Sequence, residues 1–368
     1  MAVVYVKEQG AIIRKHGGRI LVEKDDALLL EIPLRQTDSV AVFGNVQVTT
    51  QALSELLDRG IPLALYTRHG RLKGHLVPDI SKNVPLRVAQ YRTALDEAAS
   101  LGLAKAVVRA KLLNSGRLLG DYRSNYPSDV LASASEAMRH AADRAGDATN
   151  HAELLGYEGS AAATYFGAFA EMNRSELPFD GRRKHPATDP INGLLSLGYT
   201  LAMNEIRAVV EGAGMEPHLG FLHQVDYGRP SLALDLLEPF RAPLVDRLTL
   251  RLVNERILTG ADFGTRVAGT AVGSVILLPD AFQKYLAAYE AAVTEPRTRA
   301  PVGLRNAWCG DVRGLPRRSE QGPGLRRTAR RNDAIPGFLR RVGRQPAASR
   351  DGGAKGLRSP GAIQRVRV

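Results

Sequence analysis

The spacing of apolar residues in this 368-residue chain changes near residue 80, and that change constrains the fold more than any other feature. Before it, short runs of branched aliphatic residues alternate with glycine and charged turns, which predicts β-strands. Residues 51–58 are an exception, because their pattern predicts a short helix capped by Thr49 or Thr50. From Leu86 onward, apolar residues recur every three to four positions, which predicts helices. The expected fold class is therefore α+β with two domains, an N-terminal β-domain followed by an all-α domain.

Prolines mark the junction between the two domains. The segment PDISKNVP, residues 78–85, should end regular structure on both sides, because a proline disfavours the helical conformation in the residue before it. We therefore predict a β-domain over residues 1–80, a linker over 81–86 and a helical domain over 87–296. No strand is expected in the helical domain. The predicted helices cover residues 86–119, 130–146, 150–173, 190–212, 231–258 and 265–293.

The C-terminal residues, 297–368, have a different composition from the rest of the chain. They contain 18 Lys and Arg against four Asp and Glu, so they carry more positive charge than the net +12 of the whole chain. One interpretation is a disordered basic arm that binds nucleic acid. The other is an out-of-frame translation of a GC-rich gene, which yields the same bias towards Arg, Gly, Pro and Ala. Under either interpretation this tail is an atypical, disordered segment without a packed core.

Composition also excludes several classes of protein. Cys309 is the only cysteine, so a disulfide framework or a cysteine-based zinc site within one chain is excluded. No run approaches the roughly 20 apolar residues of a membrane span. Lys7 and Glu8 would interrupt the apolar region of a signal peptide. The expected location is therefore cytoplasmic.

The segment GFLHQVDYGRPSLALDLLEPFR, residues 220–241, places one histidine and two carboxylates in apolar surroundings. Asp235 and Glu238 are three residues apart on a predicted helix, so they project from one face. Pro239 should interrupt that helix, since it supplies no backbone N–H. Buried carboxylates need a cation or a pairing partner. A divalent metal ion bound by these carboxylates and His223 would be such a cation. The alternative is that the carboxylates form an acidic edge in solvent and that the histidine is merely structural.

Other segments add polar side chains. Glu158 is the only acid between residues 156 and 170, and Tyr165 lies on the same helix face seven residues later. A helix-start acid favoured by the helix dipole is the alternative interpretation of Glu158. Tyr199 belongs to a polar stripe on the helix that begins at Pro190. The basic run at residues 181–185 precedes that helix and could hold phosphate, although a solvated loop would look the same.

Three segments of the chain are similar to motifs of a known protein family. YEGSAAATYF, DPINGLLSLGYTLAMNEI and GFLHQVDYGRPSLALDLLEPFR occur in this order after a β-rich first domain. In this the chain resembles the CRISPR-associated adaptation endonuclease and integrase family (Cas one) over roughly residues 1–290. The resemblance implies a metal-dependent DNA endonuclease and integrase with a helical catalytic domain. Such an enzyme inserts spacer DNA into a CRISPR array in antiviral defence, by attack of a 3′-hydroxyl on a phosphodiester.

The resemblance also implies site residues and partners. Glu158, His223 and Glu238 would be the catalytic metal ligands, for Mg²⁺ or Mn²⁺, and Asp235 an accessory acid. A homodimer would form through the β-domains and bind the small adaptation partner (Cas two) and DNA. A non-catalytic DNA-binding scaffold and a stand-alone structure-specific nuclease are the alternatives. The candidates for DNA contact are Tyr165, Arg182, Arg183, Tyr199, Arg229 and Arg241.

Overall fold

The structure is a computed structural model that describes residues 2–68, 70–78, 84–183, 186–266 and 273–294. The tail from residue 297, and with it both interpretations of that tail, lies outside the described residues. The described residues form two compact units, one of residues 2–78 and the other of residues 84–294. Strands dominate the first unit and helices the second, so the predicted α+β fold class is confirmed.

Two four-stranded sheets build the first unit. In the first sheet, with strand order β1-β5-β7-β8, the pairs β1-β5 and β5-β7 are parallel and β7-β8 is antiparallel. In the second, β4-β3-β2-β6, antiparallel pairs join β4, β3 and β2. The strands are β1 (Ala2–Val6), β2 (Ile12–His16), β3 (Arg19–Lys24), β4 (Ala27–Pro33), β5 (Thr37–Phe43), β6 (Gln47–Val48), β7 (Leu63–Tyr66) and β8 (Leu72–Leu76).

One helix, α1 (Thr50–Asp58), packs into the core of this unit through Leu56. The Thr49 hydroxyl accepts a hydrogen bond from the backbone N–H of Ala52, which caps the helix as predicted. Gly60, with φ of +73°, ends the helix in a conformation that glycine adopts without strain.

The second unit is built around α3, the longest described helix, which packs against α4 and α5. Side chains cap four of its helices; Asp96, Ser128, Asn150 and Asp189 each accept a bond from a first-turn N–H. The helices are α2 (Val84–Leu95), α3 (Glu97–Asn125), α4 (Asp129–Asp147), α5 (His151–Met172), α6 (Pro190–Gly212), α7 (Ser231–Leu237), α8 (Arg247–Asn254) and α9 (Pro279–Thr294).

The helix predicted over residues 265–293 is wrong in its first half. Antiparallel strands β9 (Phe263–Arg266) and β10 (Ser274–Leu277) lie there, and α9 begins only at Pro279. The run Val275-Ile276-Leu277 is apolar on consecutive residues, and periodicity alone does not separate such a short run from a helix. A backbone bond from Val275 N to Ala187 O, 2.9 Å long, fixes β10 beside the segment before α6.

Within the part of the chain that is described, every helix falls short of the combined length and hydropathy that crossing a bilayer demands.

Candidate functional site

The backbone between residues 231 and 246 changes helix type twice. After α7, residues Glu238–Phe240 form a 3₁₀ turn and residues Arg241–Asp246 a π-helical turn before α8 starts. The interruption predicted at Pro239 is therefore present. The Asn114 side chain on α3 donates a 2.7 Å bond to the Pro239 carbonyl, which fixes this turn against the longest helix. Because π-helical turns occur often at functional sites, this break in the helix marks the segment as a candidate site.

His223 is held by Asp235. The imidazole Nδ1 lies 2.6 Å from Asp235 Oδ1, and the same oxygen accepts the His223 backbone N–H at 3.0 Å. The other oxygen, Oδ2, accepts the backbone N–H groups of Phe221 and Leu222 at 2.6 and 2.9 Å. Asp235 is fully buried, and its carboxylate oxygens accept all four of these hydrogen bonds. Asp235 therefore orients His223, and leaves Nε2 as the ring nitrogen available to a ligand.

The loop that carries His223 is clamped by α2 and its neighbours. The buried Gln90 amide donates to the carbonyls of Glu216 and Leu219 at 2.8 and 2.9 Å, and its oxygen accepts the Glu216 N–H at 2.8 Å. The Arg87 guanidinium donates to the Gly214 carbonyl at 2.7 Å. These bonds fix the backbone just before His223. The position of the imidazole ring therefore depends on this buried segment and not on the exposed turn that follows His223.

Gly220 allows this loop to approach Asp235. A Cβ at this position would lie 2.6 Å from Asp235 Oδ2 and 2.8 Å from the Ser231 carbonyl carbon. We therefore expect Gly220→Ala to displace the loop, lowering the free energy of unfolding by about 1–3 kcal/mol, measured by urea denaturation. Gly212→Ala is the matched control, because a Cβ at Gly212 meets nothing within 4 Å. Equal stability of the two variants would contradict the close packing described here.

Glu158 and Glu238 meet at the ammonium group of Lys111. Glu158 comes from α5 and Lys111 from α3, and the two form an ion pair. On the other side, Lys111 Nζ lies 2.6 Å from Glu238 Oε2. The three side chains are 21%, 17% and 4% exposed for Glu158, Lys111 and Glu238. Two of the predicted ligands, 80 residues apart in sequence, are thus brought to one point.

The charges around Glu238 keep it ionised. Burial alone would raise the pKa of Glu238, but Arg241, Lys111 and His223 outweigh burial and lower it to about 2. Arg241 Nη2 lies 2.9 Å from Glu238 Oε1. Burial lowers the pKa of Lys111, but Glu238 and Glu158 more than compensate and raise it above its ordinary value. Glu238 is therefore held ionised between two cations, Lys111 and Arg241.

Behind this cluster, Asp246 joins two tyrosines. Tyr165 donates a 2.7 Å bond to Asp246 Oδ2, and Tyr199 donates to Oδ1. Burial raises the pKa of Asp246, although both hydroxyl bonds act against that rise. The Arg241 guanidinium lies 4.6 Å from the centre of the Tyr199 ring, which connects this buried group to Glu238.

The DNA-contact candidates divide into buried and exposed residues. Tyr165 and Tyr199 are only 4% and 7% exposed and lie beneath the site, and their contact with DNA stays a prediction. Arg182 is partly buried and bonds to Asn192 Oδ1 at 2.8 Å and Ser196 Oγ at 3.1 Å.

Arg183 and Arg229 lie at the surface. Both side chains are exposed, and Arg229 pairs with Asp226 at 2.9 Å. Their contact with DNA stays a prediction, as does that of Arg182 and Arg241.

The residues present fit a divalent cation by their chemistry. Glu238 Oε2 is buried, and the ammonium of Lys111 lies 2.6 Å from it in a position that a cation could take. Carboxylate oxygens and an imidazole nitrogen are ligands for Mg²⁺ and Mn²⁺. In the described ranges, however, no three His, Cys, Asp or Glu side chains are already grouped so as to hold an ion. The ligand set Glu158, His223 and Glu238 therefore stays a prediction.

Sequence reasoning missed four side chains of this site. Lys111 and Asn114 are three residues apart on α3, a spacing that places them on one helix face. Gln90 gave no signal, because glutamine is an ordinary helix residue. Asp246 lies eight residues after Glu238. In a regular helix this spacing places both residues on one face, so it is a signal that could have indicated Asp246.

Comparisons with known proteins agree with this architecture. The profile of the family described as CRISPR associated protein Cas1 matches residues 4–291. The protein named CRISPR-associated endonuclease Cas1 2, from Rhodospirillum rubrum, is 36% identical over 318 residues, which cover 82% of this chain and 90% of that protein.

Two solved structures share the fold. A CAS1 protein from Thermotoga maritima has a TM-score of 0.71 at 23% identity and covers 85% of this chain and 96% of its own. A casposase bound to integration product has a TM-score of 0.72 at 23% identity and covers 85% of this chain and 89% of its own. With the family profile spanning both units and a relative above 30% identity over most of the chain, the resemblance is confirmed, and this chain belongs to the CRISPR associated protein Cas1 family.

Proposed function

We propose that this chain is a metal-dependent DNA endonuclease and integrase that inserts spacer DNA into a CRISPR array. One observation carries the proposal: Glu158 and Glu238, from separate helices, converge on a single cationic group in a buried and charge-balanced site. The family to which the chain belongs includes a relative named an endonuclease, which supports the activity. The carboxylate pair supports the metal dependence.

The residues that would hold the metal are Glu158, Glu238 and His223, the last through Nε2. A bound Mg²⁺ or Mn²⁺ would polarise a phosphoryl oxygen and lower the pKa of an attacking hydroxyl or water. Asp235 fixes the tautomer and the direction of the imidazole, because its carboxylate accepts the Nδ1–H. Arg241 keeps Glu238 ionised and therefore able to ligate.

The reaction is an exchange of phosphodiesters. The 3′-hydroxyl of the incoming DNA attacks a phosphorus atom of the target strand, and the new P–O bond forms as the bond to the target's 3′-oxygen breaks. The proton of the attacking hydroxyl is lost and the leaving oxygen is protonated, so no nucleotide hydrolysis is required. Arg183 and Arg229, both exposed, are candidates to hold phosphates beside the site.

Assembly and location follow from the same proposal. We place the protein in the cytoplasm, as a homodimer formed through its β-domains. Two such dimers would bind the small adaptation partner, Cas2, and the spacer and repeat DNA.

Metal removal tests the function directly. We expect EDTA to abolish both cleavage of branched DNA and integration of a short duplex into a plasmid that carries a CRISPR array. Excess Mn²⁺ or Mg²⁺ should restore both activities, because the carboxylates remain in place. Cleavage and integration are measured on gels, with excess Ca²⁺ as a control that binds oxygen ligands without the same geometric demand. Full activity in EDTA would refute the metal mechanism, and metal-restored cleavage without integration would refute the integrase assignment.

A further inference from the structure

Lys111 is a buried cation that contacts both carboxylates of the proposed metal site. Its ammonium pairs with Glu158 and lies 2.6 Å from Glu238 Oε2. Ordinary helix lysines extend into solvent, whereas this side chain is 17% exposed. A cation that contacts both proposed ligands repels any divalent ion that binds them.

The charges of the site disfavour the binding of a divalent ion while Lys111 stays in place. Glu158 and Glu238 carry two negative charges, and Lys111 and Arg241 carry two positive charges, so these four side chains balance one another. Adding a divalent ion would leave an excess of two positive charges in a poorly solvated place, where Coulomb interactions are much larger than in water. DNA phosphates bound beside the site would supply the compensating negative charge.

The Lys111 side chain can move while its helix stays in place. One turn further along α3, Asn114 is bonded to the Pro239 carbonyl, which fixes the helix against the turn that carries Glu238. The four-carbon stem of lysine lets its ammonium change position while the helix stays still. A phosphate at the mouth of the site would give the displaced ammonium a new partner.

We infer that Lys111 competes with the divalent cation for Glu158 and Glu238, and thereby makes metal binding depend on DNA. The inference rests on the proposed function, because it takes these residues as metal ligands. By linkage, DNA must then raise the metal affinity, and metal must raise the DNA affinity by the same factor.

Calorimetric titration of MnCl₂ into the metal-free full chain tests the inference without measuring catalysis. We expect Lys111→Met to bind Mn²⁺ at least about tenfold more tightly than the unaltered chain when DNA is absent, since one opposing charge at contact distance is removed. Lys111→Arg, which keeps the charge, should bind as weakly as the unaltered chain. With a duplex whose 3′ ends lack hydroxyl groups present, the difference between the unaltered chain and Lys111→Met should shrink.

Controls separate this inference from the proposed function. Lys105→Met removes a positive charge from the same helix outside the carboxylate pair and should leave Mn²⁺ binding unchanged. Lys111→Gln provides a second neutral variant if Lys111→Met fails to unfold cooperatively. Adding His223→Ala to Lys111→Met should abolish the binding heat.

Three results would overturn the claims. Mn²⁺ binding that requires His223 but is equal in the unaltered chain and in both neutral Lys111 variants would refute the competition alone. Binding that persists without His223 would refute the proposed ligand set. No binding to any variant, with or without DNA, would refute the metal site and the inference with it.

Discussion

His223→Ala should reduce DNA cleavage and integration to background while the protein keeps its fold. The side chain is 28% exposed and its ring is hydrogen bonded to Asp235 through Nδ1, so its loss removes a ligand rather than core packing. Gel assays measure both activities, and circular dichroism with urea denaturation measures the fold. A variant that fails to fold would show that His223 is structural.

Asp235→Asn provides the graded comparison for His223→Ala. The amide oxygen replaces only one of the two carboxylate oxygens that hold the loop and the ring. Loss of a partner that orients a ligand typically costs 10–100-fold in activity or metal affinity, so about that loss is expected. Activity equal to that of the unaltered chain would remove Asp235 from the mechanism.

Asp246→Ala should destabilise the helical unit more than Gly220→Ala does. Its carboxylate accepts hydrogen bonds from Tyr165 and Tyr199, both buried, and its removal leaves two buried hydroxyls without that partner. Each such group costs about 1–3 kcal/mol, so the free energy of unfolding should fall by about 2–6 kcal/mol. Urea denaturation gives this number.

The matched variants for this prediction are Tyr165→Phe and Tyr199→Phe. Each removes one hydroxyl and keeps the ring, so each should cost less than Asp246→Ala, about 1.5–3 kcal/mol for a bond to a charged acceptor. If Asp246→Ala were no less stable than either single variant, the carboxylate would not be the centre of the cluster.

Local signals in the sequence predicted much of the fold. The change of period near residue 80 separates the two kinds of structure, Thr49 is one of the two caps predicted for the first helix, and the break at Pro239 is predicted because proline lacks a backbone N–H. Each of these features is determined by residues that are close together in the chain, and so it can be predicted from the sequence alone. The strand β10 was missed because its short apolar run satisfies helix and strand patterns alike.

The site was only partly predictable, because its charge balance arises between distant segments. The Lys111 contact with Glu158 joins residues 47 positions apart, and nothing in the spacing of either helix indicates it. Asp246 has the spacing of an ordinary charged residue on a helix face, and only the folded structure shows that it lies between two tyrosines. Residues that act through a neighbour, such as Gln90, have no chemical signature of their own.

The clamp that Gln90 and Arg87 form on the loop before His223 has a practical consequence for dissecting this protein. Both residues lie on α2, the first described helix after the β-rich unit. A fragment that begins at α3 would keep Glu158, His223 and Glu238 and still lose the donors to Gly214, Glu216 and Leu219. A minimal catalytic fragment must therefore start upstream of Arg87, and inactivity of a shorter one would reflect a released loop rather than a missing active-site residue.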